Sequence, residues 1–256
     1  DVTGFQGLVW AFNSLYGNKN ANGPTSGIYR IRDTNNDGEL DSVEHLPVGI
    51  TGGGEHGNHD VLVTEDGRGL YLVNGNQSSV GDLDTTTIIR PWREDEVTPH
   101  MPDARGHVRG LKLPGSTTIR INPDGTGKKL ISMGYRNTYG AALNMDGELF
   151  GYDSDLEWDM GAPWYRPTRM THITSGSDFG WRNGSGKLPA WTEGTSPGLA
   201  DIGPGSPTGV ISGTAKQRGT STFTVQARYR TRVGGRSITS GSWPSPAGSA
   251  RSRSRR

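Results

Sequence analysis

The chain has 256 residues, with 40 Gly, 15 Pro and only 30% apolar residues, yet seven Trp and eight Tyr. That mixture suits an all-β protein with many turns and a modest, aromatic-rich core, and it argues against a helical bundle, since few windows repeat apolar residues at helical spacing. No run of about 18 apolar residues occurs, which excludes a helical membrane span, and the lack of Cys excludes disulfides, thiolate catalysis, Cys-ligated zinc and CxxCH haem attachment.

The net charge of +1 hides an asymmetry. From Ile202 to Arg256 there is no Asp or Glu and there are ten Lys or Arg, so the first 201 residues hold 17 basic against 26 acidic residues, a balance of −9. The chain starts at Asp1 with no Met and no apolar leader, which is not expected of an intact gene start and is compatible with a removed signal peptide.

Read in chain order, a short pattern recurs three times. Gly7-Leu8-Val9-Trp10 leads to Leu15-Tyr16. His59-Asp60-Val61-Leu62 leads through Asp66-Gly67 to Leu70-Tyr71. Gly140-Ala141-Ala142-Leu143 leads through Asp146-Gly147 to Leu149-Phe150. Each copy predicts strand, tight turn, strand. Asp-Gly supplies the positive φ of a hairpin turn, and the Leu-aromatic pair puts one side chain on each face of the next strand. Gly27–Ile31 and Thr117–Ile121 predict further strands, the second ending at the Asn122-Pro123-Asp124-Gly125 turn. Repeated hairpins of this kind predict β-propeller blades; a β-sandwich with similar turns fits the same pattern. Residues 76–116, rich in Pro and charge, predict one long loop insertion.

Four stretches carry candidate chemistry. Asp33 to Glu44 fits the twelve-residue calcium loop: Asp33, Asn35 and Asp37 at the first, third and fifth positions, Gly38 at the sharp turn, Glu39 offering its carbonyl, Asp41 ninth and Glu44 bidentate at the end. A strand-like stretch precedes it, so a helix–loop–helix unit is not expected, and an Asn/Asp-rich hairpin turn without metal is the alternative. His56 is the candidate general base, because an imidazole titrates near working pH; Glu55 and His59 are placed to tune it, and His59 competes for the role. A purely structural His56 is the alternative. Arg136 and Asn137 set a planar guanidinium beside an amide, suited either to ligand oxygens or to carbonyls between blades. Asp153, Asp155, Glu157 and Asp159 alternate as on one strand face, where four carboxylates need a cation or arginines such as Arg166 and Arg169.

These residues resemble a known family. Gly134-Tyr135-Arg136-Asn137, with Gly140, Asp146-Gly147 and Leu149-Phe150, is similar to a segment of the PQQ-dependent glucose and aldose sugar dehydrogenases. Glu55-His56 with Asp66-Gly67 and Leu70-Tyr71 resembles their catalytic-histidine blade, and Asp178-Phe179-Gly180-Trp181 one of their strands. A nearer resemblance is to bacterial membrane-bound or sorbosone-type dehydrogenases. It runs through Gly53–Gly57, Asp103–His107, Tyr152–Asp159, Pro163–Arg169 and Asp201–Gly209, and covers residues 5–213 or so.

The resemblance implies a glucose/sorbosone dehydrogenase-like, six-bladed β-propeller, present as a fragment of about four to five blades in residues 1–213. The basic Ser/Arg/Gly-rich tail, residues 214–256, is then expected to be disordered or translated out of frame; it has the charge for phosphates but no base-reading fold. The implied activity is hydride transfer from a sugar or alcohol CH–OH group to PQQ, with His56 as base, Arg136 and Asn137 as cofactor contacts and an external electron acceptor. The implied location is periplasmic or extracellular. In the soluble PQQ enzymes a calcium near residues 153–159 is held by a Gly-Pro pair; Ser154-Asp155 stands there instead. A non-catalytic, calcium-stabilised propeller that binds carbohydrate or a partner protein is the reading from a different class.

Overall fold

The computed structural model describes residues 2–88, 110–156, 166–183, 194–203, 230–233 and 236–239. The chain divides into two compact units, Asp1–Ile211 and Ser212–Arg256. Among the described residues no helix is long and apolar enough to cross a membrane.

The first unit is built of antiparallel meanders. Strands β1 (Phe5–Ala11), β2 (Ser14–Lys19), β3 (Gly27–Arg32) and β4 (Ser42–His45) pair in chain order. The β1–β2 turn has no Asp-Gly. Phe12 and Asn13 both take positive φ, 50° and 52°, between paired Ala11 and Ser14, the geometry of a type I′ hairpin. After the short β5 (Thr51–Gly52), β6 (Asn58–Val63) and β7 (Leu70–Asn74) form the hairpin at Asp66-Gly67, with Gly67 at φ 65°. Two-residue strands β8 (Ser78–Ser79) and β9 (Thr85–Thr86) follow, then β10 (Ser116–Ile121) and β11 (Lys129–Tyr135). The last meander is β12 (Thr138–Leu143), β13 (Leu149–Asp153), β14 (Thr168–Ile173) and β16 (Ala200–Gly203), while β15 (Ser177–Asp178) crosses back to pair in parallel with β11.

The resemblance implies four to five blades in residues 1–213; the described residues include three antiparallel four-stranded meanders, the middle one extended by β15 and β9, both parallel to β11. Residues 76–116 are the expected long insertion. This insertion separates β7 from β10, which are hydrogen-bonded neighbours in one sheet, so it lies inside a blade rather than between blades. It also contains β8 and β9, and its residues 89–109, with His100 and Asp103–His107, lie outside the described residues.

Alternation along the middle sheet shows how the blades stack. Leu70 and Leu72 of β7 enter a core with Tyr16, Ile28, Leu46, Ile119, Ile121, Leu130 and Trp181, shared with the first meander. Tyr71, between them, points to the other face, with Ile131, Tyr135, Leu149, Ile173 and Phe179, shared with the third. A strand period of two puts successive side chains on opposite faces, so one sheet supplies both blade-to-blade cores.

The first strands of the three meanders lie side by side, with β6 against both β1 and β12. The approach of β1 is limited by Gly7, where an added Cβ would meet Asp60 Cα at 2.7 Å and His59 O at 2.8 Å. The second unit contains a two-stranded antiparallel ladder, β17 (Arg230–Val233) with β18 (Arg236–Thr239); the rest of the tail expected to be disordered lies outside the described residues.

Gly7→Ala is therefore expected to lower stability by about 1–3 kcal/mol, as overpacking does in a close-packed core. Denaturant midpoints compared with the parent protein check this. An unchanged midpoint would mean that β1 and β6 separate freely.

Candidate functional site

The leading ends of β6 and β12, with the β7–β8 connection, gather a buried polar cluster. His56 is 3% exposed, His59 1%, Asn76 3%, Arg136 8% and Asn137 1%. Arg136 and Asn137 adjoin in sequence, yet each serves a different histidine. Arg136 Nη1 lies 3.4 Å from His56 Nε2, and Asn137 Oδ1 lies 2.6 Å from His59 Nε2.

The partners fix the tautomers as assigned. An amide oxygen only accepts, so His59 carries its proton on Nε2. His56 Nδ1 lies 2.8 Å from Asn76 Oδ1, so Nδ1 is the protonated nitrogen there and Nε2 is the acceptor. The His56 backbone N–H donates to Gln77 Oε1 at 3.0 Å. Burial pushes His59 down from its ordinary 6.5 to about 4, outweighing the opposing pull of the Asn137 bond. Its ring also packs against Tyr139, with centroids 4.5 Å apart and the planes tilted by 37°. Of the two competing histidines, His59 is thus a neutral, packed imidazole near pH 7, and His56 keeps a base nitrogen beside a guanidinium.

Asp153 anchors this cluster. It is fully buried and its Oδ1 accepts the backbone N–H of Arg136 at 3.1 Å and of Asn137 at 2.9 Å. Its Oδ2 takes Arg169 Nε at 3.1 Å and Nη2 at 3.0 Å. Of the alternating carboxylates, Asp153 lies at the end of β13 and Asp155 is buried just beyond it, while Glu157 and Asp159 lie outside the described residues. Gly75 is required where it stands, because a Cβ there would run into His56 O and Asn137 Oδ1.

Sequence reasoning places His56, Arg136 and Asn137 as candidates, and the structure brings them together. It misses Asn76, Gln77 and Asp153 as their positioning partners. For Asn76, the available signal was Asn74-Gly75-Asn76, polar residues and a glycine directly after a fully buried strand, where a side chain can turn into a site.

The calcium loop comes out differently. Asp33 accepts the backbone N–H of Asn36 and Gly38, Asp37 that of Glu39, and Asn35 that of Asp37. Asp41 accepts the hydroxyl and the backbone N–H of Thr34, which hold its carboxyl below the usual range. Glu44 does not join them. It belongs to β4, paired opposite Arg30, and its Oε2 meets Arg30 Nη2 at 2.6 Å. In a helix-flanked calcium loop the last ligand turns back to the ion; here the extended strand aims it across the ladder. Among the described residues no group of three or more His, Asp or Glu is placed to hold a metal ion.

Two measurements probe the cluster. Asp153→Asn keeps the shape but strips the charge opposite Arg169; breaking a buried pair costs about 3–5 kcal/mol, read as a fall in unfolding free energy, and a loss under about 1 kcal/mol would mean that Arg169 finds another partner. The second uses pH. His59 is depressed in the folded state, so its contribution is fully present above 6.5 and is lost as pH falls through about 4. That window corresponds to about 3 kcal/mol. Burial raises Asp60 above the usual carboxylate range, which acts in the opposite sense, so the difference between wild type and His59→Gln is the readout. Wild type should lose about 3 kcal/mol more than the variant between pH 6.5 and 4; parallel curves would refute the buried neutral assignment.

No family model matches the chain, and no curated protein does. Solved structures do match. The PQQ-bound form of aldose sugar dehydrogenase from Streptomyces coelicolor aligns with a TM-score of 0.50 at 18% identity, over 75% of this chain and 49% of that one. An oxidoreductase described as a glucose dehydrogenase from Thermus thermophilus aligns with a TM-score of 0.47 at 19% identity, over 75% and 54%. The chain thus spans about half the length of these proteins. Three antiparallel meanders and the first of these alignments give one conclusion: the chain has a β-propeller fold similar to that of the aldose sugar dehydrogenase.

Proposed function

We propose that the His56 cluster is the proton-accepting half of a quinone-dependent dehydrogenase site acting on a sugar or another alcohol. The observation that carries the reading is the orientation of His56: Nδ1–H committed to Asn76 and Nε2 turned to the acceptor role. The oxidation of a CH–OH group releases a hydride from carbon and a proton from oxygen. Nε2 is the atom to take that proton, which is general base catalysis at a fixed nitrogen. Asn76 holds the ring and its tautomer, and Gln77 holds the backbone that carries it.

PQQ presents acceptor oxygens, and the donors of this cluster suit them: the Arg136 guanidinium and Asn76 Nδ2, a buried donor with no hydrogen-bond partner. Asn137 suits them less, since its Oδ1 is bonded to His59. When bound, PQQ supplies the hydride acceptor. No step of the reading runs through calcium, because Glu44 stays with Arg30. A periplasmic or extracellular location and an external electron acceptor belong to the same proposal and rest on the neighbours' fold.

Two assays test it. The chain, titrated with PQQ in a calorimeter, is expected to bind, and turnover of sugars and alcohols with an artificial acceptor is expected to fall about 10²–10⁴-fold in His56→Ala. Turnover undiminished in His56→Ala would remove it from the mechanism. Absence of both PQQ binding and turnover would favour a non-catalytic carbohydrate-binding propeller.

A further inference from the structure

The first meander is apolar on both faces. An antiparallel sheet that meets water on one side alternates apolar with polar residues; the middle sheet is apolar on both faces because a meander packs against each. In the first meander Val9 and Tyr16 turn toward the middle sheet. Trp10, Leu15, Ile31 and Val43 stand opposite one another across all four strands and form a row on the far face. Leu8, two residues before Trp10, lies on the same face. Trp10 is 59% exposed, Leu8 57% and Val43 52%. The third meander repeats the pattern. Ala141 and Leu143 pack toward the middle sheet, while Ala142 opposite Phe150, and Tyr152 opposite Met170, lie on the far face. Contiguous apolar exposure of this kind marks a surface that another protein covers, whereas single exposed residues do not.

We infer that these two faces cover each other between two copies of this chain, the first meander of each copy lying against the third meander of its partner in a two-fold dimer. The occupant follows from three observations. What covers the faces of the middle sheet is a meander on either side, so a face of the same character fits another meander. The two open faces belong to the first and the third sheets of the stack, so one partner that carries both covers both at once. The chain spans about half the length of the aldose sugar dehydrogenase that shares its fold, so two copies supply the sheets of one ring. Contacts between unlike faces close only where the rotation brings the last face back to the first, and a ring closed in this way removes open sheet faces. The inference is independent of the chemistry assigned to His56.

Light scattering on the 256-residue chain during gel filtration is expected to give twice the mass of the chain. A monomer would overturn the proposal and assign the faces to a different occupant; species that grow with concentration would overturn it by showing that the contact does not close. Trp10→Glu and Ala142→Glu each alter one exposed position on one of the two faces. Their circular dichroism should match the parent, and each should raise the dimer Kd about 30-fold or more, the effect of losing a central interface anchor. Mixed together, the two variants should associate more tightly than either does alone, because a charge abolishes the apolar contact it enters and the mixed pair keeps one contact free of both substitutions. Dimer loss confined to one variant, or to neither, would refute the pairing of unlike faces, as would a mixture no tighter than its components. Where a Glu variant fails to fold, Val43→Cys gives a second reading. The chain has no other cysteine, so maleimide labelling reports this thiol alone; its rate should rise several-fold as the protein is diluted from dimer to monomer, and a rate that ignores concentration would also overturn the inference.

Discussion

A carboxylate with no exposure would be expensive if it stood alone, because taking a charge out of water costs several kcal/mol. Asp153 is compensated on every side that matters: two backbone N–H groups, from Arg136 and Asn137, and the forked guanidinium of Arg169. These bonds tie three elements together. Asp153 ends β13, Arg169 lies on β14, and the Arg136-Asn137 pair is the link between the middle and third meanders. If this link moved, Arg136 would leave His56 and Asn137 would leave His59. The positions of both histidines' partners therefore depend on a salt bridge that touches neither ring.

The second constraint is closeness. First strands can line up around an axis only where side chains are small enough, and Gly7 against Asp60 shows how little room is left. Gly75 plays the same part inside the cluster, where the backbone of His56 and the amide of Asn137 occupy the space of a side chain. Packing of this kind makes the site a property of three sheets at once. The apolar clusters on the two faces of the middle sheet hold the blades, and the polar layer at their leading ends uses that rigidity to fix its hydrogen bonds.

Much of the fold was legible locally. Asp66-Gly67 and Asp146-Gly147 announce hairpins through the φ that glycine permits, and the Leu-aromatic pair after the first turn lands on two faces as a strand period of two demands, with Leu70 and Tyr71 in different cores. The Phe12-Asn13 turn was legible only as an interval between strands, since Phe is an unusual residue at positive φ. The pairing inside the middle sheet was not legible, because strand pairing across an insertion is a long-range fact; nothing local says that β7 pairs with β10. The site divides in the same way. His56 and Arg136 carry chemistry in their side chains and stand out, whereas Asp153 and Asn76 act through partners 16 or more residues away. The calcium pattern parts from the structure at Glu44 for a related reason: spacing gives the order of ligands, but the conformation of the flanking strand decides where the last one points.

The use of amides rather than carboxylates to hold the two histidines has a consequence of its own. A carboxylate opposite Nδ1–H or Nε2–H would stabilise an imidazolium by direct charge pairing and raise the ring's affinity for a proton. An amide oxygen accepts the same N–H and fixes the same tautomer, yet adds no net charge. At His59 the outcome is visible, since burial prevails over the bond from Asn137 and the ring is held neutral. Asn76 and Asn137 thus set direction without setting charge. In a buried cluster that already contains Arg136, that choice keeps the acceptor nitrogen of His56 available, which is the property that a proton-abstracting base requires.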